Sequence, residues 1–329
     1  MLGKIKTLLG QDWTDTQELI RSSLKSDIDL LDQTNAAILS TGGKQLRPLL
    51  SLLVARVCRS QSNEPLPRDS VRFAAATELL HNATLLHDDV ADNSSVRRGV
   101  PTIKSLLGGP ASVLIGDFWL VRAMENILSS QTHGATAIRI FAKTLSDLAE
   151  GEMLQLQKAE SCDTTEEDYY RIIYSKTASL FEAAGVTAAL SVGASDDFTR
   201  CVKEYCVSLG IAFQIRDDML DYSDGLDLGK PVGADLDERK ITLPLLGVLR
   251  SAAPEEEARI RAMVCEVPEH PEHKSVINDL VFESGGYEYA ASRLKEYADK
   301  AISALATLPD SEEKHYLSEI AAFTVRRDK

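Results

Sequence analysis

Apolar and polar residues alternate with a helical period along most of this chain, and the strand-type alternation of period two is nearly absent. The period predicts helices over residues 16–40, 48–59, 70–92, 110–130, 136–158, 166–190, 196–221, 243–267, 274–282, 287–306 and 311–325. No breaker segment between them is long enough to be an interdomain linker. The pattern therefore predicts an all-α fold, a single domain over residues 1–329 in which about a dozen helices surround a central apolar cavity.

Composition changes this picture only by exclusion. Apolar residues make up 44% of the 329 positions, and the formal net charge is −14. A nucleic-acid-binding protein usually carries a basic face, so we expect no nucleic-acid partner. No run approaches the roughly 20 apolar residues that cross a bilayer, and residues 1–10 lack the long apolar region of a signal peptide. We expect no transmembrane segment and a cytoplasmic location.

The cysteines support that location. The chain has five, and none are in a CxxC spacing. An odd number without metal-binding spacing predicts neither a zinc site nor a disulfide framework. We therefore expect reduced thiols at Cys58, Cys162, Cys201, Cys206 and Cys265.

Two short acidic clusters carry the chemistry. Residues 88–92 and residues 217–221 both have the sequence DDxxD, and each ends an apolar, helix-patterned run. On a helix this spacing places two or three carboxylates along one edge, which is costly beside apolar surface unless a cation neutralises them. Mg²⁺ prefers oxygen ligands and commonly bridges carboxylates and substrate phosphates. The two clusters therefore predict two facing Mg²⁺ sites for a diphosphate.

Cationic residues lie close to the first cluster in sequence. His81 is about two helical turns before Asp88 and shares its face, which is compatible with a site residue and equally with a core histidine. Arg97 and Arg98 follow the cluster, where they can pair with the carboxylates or form bidentate contacts to phosphate. Upstream, residues 42–48 (GGKQLRP) form a glycine turn before a helix, which resembles a phosphate cradle without the Walker A spacing.

The second cluster extends into a polar stripe. Gln214, Asp217, Asp218 and Asp221 recur at helical spacing, a pattern that a solvated charged face would also give. The segment after it contains Lys230 and Lys240 among glycines, which suggests a lid over an anionic substrate. Lys176 and Thr177 form a further cation–hydroxyl pair that, taken alone, is indistinguishable from an ordinary helix surface.

In sequence order, these motifs together resemble the trans-isoprenyl diphosphate synthase family. The match runs through residues 42–48, LLHDDVADNSSVRRG at 85–99, GDFW at 116–119, SKTASLFEAA at 175–184, FQIRDD at 213–218 and GKPVGADLDERKITLPLL at 229–246. The family often has further acidic residues just after the first cluster, where this chain has Asn93, Ser94 and Ser95.

The resemblance implies a role for each matching residue. It implies that isopentenyl diphosphate is bound by Lys44, Arg47, His81 and Arg98. It implies that the allylic diphosphate is bound by Arg97, Lys176, Thr177, Gln214 and Lys230, with Lys240 closing over it. The implied metal ligands are Asp88, Asp92, Asp217 and Asp221, for three Mg²⁺ ions per active site when diphosphate is bound. The implied catalytic residues are Asp88, Asp89, Asp92, Lys176, Asp217 and Asp218.

The resemblance also implies the reaction, which is head-to-tail condensation of isopentenyl diphosphate with an allylic diphosphate by a homodimeric prenyltransferase. In this family, bulky aromatics just before the first cluster shorten the product. Ala83 and Thr84 are small, so we expect a long-chain all-trans product of the heptaprenyl, octaprenyl or solanesyl type, made from farnesyl or geranylgeranyl diphosphate for quinone side chains and delivered to a membrane. Val121 or Met124 would lie deeper in the floor of the same cavity.

Alternatives remain at this point. A short-chain farnesyl or geranylgeranyl diphosphate synthase would carry the same motifs. A non-catalytic subunit of a hetero-oligomeric synthase tends to lose the aspartates that this chain retains, and a terpene cyclase has a different second metal motif. The two ExxH sequences at residues 78–81 and 312–315 would suit a carboxylate-bridged di-iron bundle, but neither has an obvious partner glutamate on another buried helix.

Overall fold

The computed structural model of the chain describes residues 1–41, 43–59, 64–97, 99–222 and 233–326. Of the predicted site residues, Arg98 and Lys230 lie outside these ranges, as does Gly42 of the glycine turn.

The first half of the chain is helical apart from one small hairpin. Its elements are α1 (Leu2–Leu9), α2 (Gln11–Ser23), α3 (Asp29–Ser40), α4 (Leu46–Cys58), α5 (Arg68–Ala91), β1 (Val96–Arg97), β2 (Val100–Pro101), α6 (Ile103–Leu107), α7 (Gly109–Leu128) and α8 (Gly134–Ser161). The two strands pair antiparallel, with Val96 opposite Pro101.

The second half is helical throughout its described part. Its elements are α9 (Glu166–Ile173), a π-helical turn (Tyr174–Ala178), α10 (Ser179–Ser191), α11 (Asp196–Asp221), α12 (Ala234–Asp237), α13 (Leu243–Leu249), α14 (Pro254–Glu266), α15 (His273–Glu283), α16 (Gly286–Ala304), a 3₁₀ turn (Leu305–Thr307) and α17 (Glu312–Arg326). The all-α prediction is confirmed.

The chain divides into two compact units, which are described separately. Unit 1 comprises Met1–Lys143, Glu182–Lys203 and Thr307–Leu317, and unit 2 comprises Thr144–Phe181, Glu204–Ala306 and Ser318–Lys329. The expectation of one domain around one cavity stays a prediction.

Unit 1 is organised around α5, which packs against α2, α4 and α7. Helix α5 is buried on most of its circumference, as expected for a helix whose apolar residues do not form a single stripe. Several buried polar groups in this core are hydrogen-bonded. Trp119 of α7 is fully buried and donates its indole N–H to Asn35 Oδ1 at 2.7 Å, and Asn35 in turn donates to the carbonyl of Leu24 at 2.8 Å.

Unit 2 has its own apolar core, formed by residues of α9, α11 and α13 to α16. Fully buried members of this core include Ile215, Leu243 and Val264. Two of the helices begin with proline in the first turn, α13 at Pro244 and α14 at Pro254, where the missing N–H has no helical partner to lose.

Three predicted helices are divided in the structure. The helix expected over residues 16–40 is broken at residues 24–28, where the Asn35 side chain takes up the carbonyl of Leu24. The helix expected over residues 166–190 contains the π-helical turn. The helix expected over residues 243–267 is interrupted before Pro254, because proline cannot supply the hydrogen bond that would continue it.

The expectation of five reduced thiols is wrong for two of them. Cys162, which follows α8, forms a disulfide with Cys265 of α14, 103 residues away. Cys58, Cys201 and Cys206 are free thiols. Rules based on the local spacing of cysteines cannot predict a pair so far apart in sequence.

The short apolar face of α1 is used within unit 1, because Ile5 and Leu9 are fully buried there. Across the described ranges, no helix has both the length and the hydrophobicity required to cross a membrane.

Candidate functional site

The first acidic cluster ends helix α5 in unit 1. Asp88 and Asp92 are half-buried, whereas Asp89 between them is only 4% exposed. Asp92 is the C-cap of the helix, and its N–H donates to the carbonyl of Asp88 at 2.8 Å. The cluster therefore presents two accessible carboxylates around a buried third one, at a helix end whose free carbonyls favour a cation.

The buried carboxylate has a specific partner. Arg97 on β1 donates from Nε to Asp89 Oδ1 at 2.7 Å, and the Asp89 carbonyl accepts from the N–H of Ser94. Since a buried charge needs pairing, Arg97 neutralises Asp89 and fixes the hairpin against α5. Of the two roles considered for this arginine, ion pairing is present, and phosphate binding stays a prediction.

The other predicted cationic residues in the described part of unit 1 lie at the start of α4 and on α5. Arg47 is in the first turn of α4 and half-buried, and Lys44 just before that helix is exposed. Gln45 between them has a left-handed φ of 50°, which turns the chain into the helix. His81 on α5 is half-buried, and its carbonyl accepts a hydrogen bond from the Thr84 hydroxyl at 2.9 Å.

The residues expected to set product length differ in burial. Ala83 is 1% exposed and Thr84 is half-buried. Val121 lies on the outer face of α7 with 51% of its surface exposed, so it does not line an interior floor of unit 1. Met124 on the same helix is half-buried.

The second acidic cluster ends α11 in unit 2, and a chain of hydrogen bonds holds it. Thr177 donates its hydroxyl to Gln214 Oε1 at 2.7 Å, and Gln214 Nε2 donates to Asp218 Oδ1 at 2.8 Å. Tyr169 of α9 donates its hydroxyl to Asp218 Oδ2 at 2.7 Å. Three of the residues predicted from sequence are thus brought into one network, with a tyrosine that sequence did not predict.

The carboxylate at the centre of this network is that of Asp218, and its environment disfavours the charged form. Burial raises the pKa of Asp218 well above its ordinary value, and the nearby charges of Asp235 and Asp217 raise it further. The hydrogen bonds from Tyr169 and Gln214 act in the opposite direction. A cation bound beside Asp218 would remove the repulsion, so the charge distribution of the cluster fits one.

Lys176 lies on the π-helical turn and faces α8. Its ammonium is 2.5 Å from Glu152 Oε2 and 3.0 Å from Gln155 Oε1. Two glycines let the neighbouring helices approach this turn closely. A Cβ on Gly151 would lie 2.5 Å from Ser175 Cβ, and one on Gly210 would lie 2.5 Å from Ala178 Cα. Single π-helical turns are frequent at functional sites, and this one carries both Lys176 and Thr177.

Asp221, the last residue of α11, contacts the backbone of the next element. Its Oδ1 accepts the N–H of Ala234 at 3.1 Å, and its Oδ2 accepts the N–H of Asp235 at 3.0 Å. Lys240, after α12, forms an ion pair with Glu238. The predicted facing arrangement of the two acidic clusters stays a prediction.

Sequence reasoning missed Tyr169, Glu152 and Asp235. Tyr169 and Glu152 sit in ordinary amphipathic segments, so no local spacing marked them. Asp235 carried a signal, because it lies in the matched segment 229–246 between glycine and lysine.

The side chains at both clusters suit magnesium. They are carboxylate oxygens on rigid helix ends, supported by a guanidinium in the first cluster and by hydroxyl and amide groups in the second, and no thiol or imidazole is part of either DDxxD sequence. Hard oxygen donors of this kind, used one or two at a time, are typical of Mg²⁺ sites that also bind phosphate.

Comparison with known proteins agrees with this chemistry. The polyprenyl synthetase family profile matches residues 28–281. The octaprenyl diphosphate synthase of Escherichia coli (strain K12) is 39% identical over 329 residues, covering 100% of this chain and 99% of that protein.

Solved structures give the same result. A decaprenyl diphosphate synthase from Rhodobacter capsulatus is 34% identical with a TM-score of 0.90, covering 100% of both chains. A polyprenyl synthase from Caulobacter crescentus CB15, solved with calcium and isoprenyl diphosphate, is 34% identical with a TM-score of 0.89, covering 100% of this chain and 98% of that one. These full-length matches favour the prenyltransferase prediction over the di-iron alternative. The chain belongs to the polyprenyl synthetase family and is a prenyltransferase.

Proposed function

We propose that the protein catalyses the Mg²⁺-dependent head-to-tail condensation of isopentenyl diphosphate with an allylic diphosphate, giving a long-chain all-trans polyprenyl diphosphate. The observation that carries the proposal is end-to-end similarity to an octaprenyl diphosphate synthase at 39% identity. Both DDxxD sequences are intact in this chain, which argues against a non-catalytic subunit.

The metal ligands we propose are Asp88 and Asp92 in unit 1 and Asp217 in unit 2. Bound there, Mg²⁺ neutralises the negative charge that develops on a departing diphosphate. Asp89 and Asp218 do not need to contact the metal for this role. Each is buried and held by hydrogen bonds, so each fixes the helix end that carries its accessible neighbours.

The cationic residues divide between the two substrates. Lys44, Arg47, His81 and Arg98 bind isopentenyl diphosphate, and Arg97, Lys176, Thr177, Gln214, Lys230 and Lys240 bind the allylic diphosphate. Lys176 has Glu152 and Gln155 as partners in the described structure, so it must exchange at least part of that ion pair for phosphate oxygens when the substrate binds. Donors preorganised around the departing group stabilise the transition state more than the ground state.

Chain length follows from the size of the residues ahead of Asp88. Ala83 and Thr84 leave room for a growing prenyl chain, and water must be kept from the allylic cation. The product we propose is of the heptaprenyl to solanesyl range, primed by farnesyl or geranylgeranyl diphosphate. It serves quinone side chains and is delivered to a membrane by a cytoplasmic enzyme.

A homodimer is part of the proposal. Leu114, Val121 and Leu128 recur every seven residues along α7, and each is more than half exposed. A repeat of seven places them on one side of the helix, which suits packing against a helix of a second copy.

The deciding experiment is a product assay with the purified enzyme. Radiolabelled isopentenyl diphosphate is incubated with farnesyl or geranylgeranyl diphosphate, with and without Mg²⁺, and the dephosphorylated product is sized by reversed-phase chromatography. We expect a product of roughly 35 to 45 carbons, which is the heptaprenyl to solanesyl range. We expect it only when Mg²⁺ is present. A product that stops at 20 carbons with the farnesyl primer would support the short-chain alternative, and no product with either primer in the presence of Mg²⁺ would contradict the proposal.

A further inference from the structure

The DDxxD position of Asp221 predicts a metal ligand, whereas the hydrogen bonds described for this residue go to the backbone at the start of α12. Both oxygens of its carboxylate accept backbone N–H groups, those of Ala234 and Asp235. Its own carbonyl accepts a third, from Gly233 at 3.0 Å. One residue at the end of α11 therefore holds three successive amides at the start of α12.

The hydrogen bonds have a consequence for the acidic cluster. Asp235 is the second residue of α12, so fixing its N–H fixes the backbone from which its carboxylate extends. Burial is the largest cause that raises the pKa of Asp218, Tyr169 and Tyr222, and the charge of Asp235 raises the pKa of each further. The charge of Asp235 therefore affects the pKa of three buried groups in unit 2.

Other contacts of α12 orient the segment from the opposite side. Leu236 is 1% exposed and belongs to the core of unit 2, and Lys274 Nζ bonds both carboxylate oxygens of Asp237 at 2.8 and 3.0 Å. The N–H of Lys240 donates to the carbonyl of Asp235 at 2.8 Å. Only the bonds to Asp221, however, connect α12 to the DDxxD sequence itself among the hydrogen bonds described here.

We infer that Asp221 is a positioning residue rather than a direct metal ligand: its carboxylate holds the first turn of α12 so that Asp235 stays within the acidic cluster. The inference rests on the proposed function for the meaning of that cluster. The anchoring itself is a property of the metal-free protein and can be tested without any substrate.

The first test is amide hydrogen exchange of the metal-free protein, read at residues 233–237. Asp221→Ala removes both acceptors, and we expect exchange at Ala234 and Asp235 to become at least about ten-fold faster. Asp221→Asn keeps one acceptor oxygen but turns an N–H toward the other amide, so its effect should be intermediate. Asp217→Ala is the matched control within the same cluster and should leave these amides as they are. Exchange that stays within two-fold of wild type in Asp221→Ala overturns the inference.

The second test separates positioning from a merely structural role. Binding of Mn²⁺ with inorganic pyrophosphate is measured by calorimetry for Asp221→Ala, Asp235→Ala and the double variant. If Asp221 acts through Asp235, the double variant loses no more affinity than Asp235→Ala alone. Losses that multiply would show that Asp221 contributes to binding independently of Asp235 and would overturn the inference. Absence of Mn²⁺–pyrophosphate binding in wild type would count against the proposed function, while the exchange measurement would still decide the anchoring.

Discussion

Tyr169 is the residue whose contribution is most open to a direct test. Its hydroxyl gives the buried Asp218 one of the two side-chain hydrogen bonds described for that carboxylate, and a hydrogen bond to a charged group is worth about 1.5–3 kcal/mol. We expect Tyr169→Phe to raise the pKa of Asp218 further and to lower kcat/KM at fixed Mg²⁺ by about ten-fold or more. Initial rates over a Mg²⁺ titration measure this.

The adjacent Tyr170 provides a matched control. Its hydroxyl accepts a hydrogen bond from Arg293 Nε at 3.2 Å and has no described bond to the acidic cluster. Tyr170→Phe should therefore stay within about two-fold of wild type, on the scale of a weak hydrogen bond. If both variants behave like wild type, the Tyr169 hydroxyl does not support Asp218.

The contrast between Asp218 and Tyr169 shows what sequence can reach at this scale. Asp218 belongs to a repeated, regularly spaced motif, so its place in an acidic cluster could be predicted from sequence, and its catalytic role stays a prediction. Tyr169 is 49 positions away on another helix, and its partner is chosen by tertiary packing. The same holds for Glu152 beside Lys176, since nothing in the spacing of two helices reveals which side chains meet.

Product length should respond to Ala83. This residue is 1% exposed, so a phenyl ring placed there must enter the interior of unit 1. We expect Ala83→Phe to shorten the main product by at least one isoprene unit, because less space remains below Asp88. Reversed-phase chromatography of the product measures the change.

Ala36→Phe, on the exposed side of α3, is the control and should leave product length unchanged. Because overpacking a core costs about 1–3 kcal/mol, thermal unfolding must first show that Ala83→Phe is folded. A folded variant that makes the wild-type product would place the growing chain elsewhere.

At the scale of elements, regular helices were predictable and their interruptions were not. Helix α11 has the bounds that periodicity predicted, Asp196–Asp221. The break after α2 has no glycine or proline to announce it and depends on the distant Asn35 side chain. The π-helical turn lies where the chain approaches Gly151 and Gly210 closely, a contact that only the packed structure displays.

The start of α9 carries a capping box whose strength can be measured. Thr165 and Asp168 exchange side-chain to backbone hydrogen bonds of 3.0 and 3.1 Å, and Lys158 lies 3.0 Å from Asp168. Since α9 carries Tyr169, this cap stabilises one of the helices that contribute side chains to the candidate site. We expect Asp168→Asn to lower the free energy of unfolding by about 1 kcal/mol at pH 7, measured with urea.

The effect should depend on pH in a defined direction. Partial burial alone would raise the pKa of Asp168, but the Thr165 hydroxyl and backbone N–H and the Lys158 ammonium outweigh it, and the pKa is lowered. A carboxyl whose pKa is lower in the folded state stabilises it above the unfolded pKa, near 4, and loses that contribution as pH falls through the folded value. The difference between wild type and Asp168→Asn should therefore shrink below about pH 4. Asp310→Asn, which removes a fully exposed carboxylate paired with the partly buried Lys314, is the control and should have no measurable effect at either pH. A difference that grows on acidification would contradict this account.

At the scale of the whole molecule, the disulfide links positions that the sequence kept far apart. Cys162 and Cys265 are separated by 103 residues, so the bond closes a long loop in the unfolded chain. Disulfides typically stabilise the folded protein by about 2–4 kcal/mol, and a loop of this size is expected at the upper end of that range. Adding dithiothreitol to wild type should lower its free energy of unfolding by that amount, and Cys265→Ser should already have the lower value.

Cys265→Ser is the control for this measurement, because dithiothreitol should not change the stability of a protein that lacks the disulfide. Equal stability of oxidised and reduced wild type would mean that the packing around α14 holds these residues together without the bond. Arg261 contributes to that packing, because its Nη1 donates to the carbonyls of Cys162 and Thr164 at 3.1 Å.

Assembly of two copies is the remaining prediction at this scale, and it depends on the exposed stripe of α7. Leu114, Val121 and Leu128 expose 69%, 51% and 61% of their surface, although monomers rarely leave long apolar stripes in water. Replacing Leu114 and Val121 together by Glu places two charges where a second helix would bury them, so we expect a dimer-to-monomer shift of at least a hundred-fold in the dissociation constant, roughly 3 kcal/mol. Sedimentation equilibrium at micromolar concentration measures it. Val276→Glu introduces the same charge at an exposed apolar residue of α15 and should leave the dimer intact. A wild-type protein that sediments as a monomer, or a double variant that dimerises as tightly as Val276→Glu, would remove α7 from the interface.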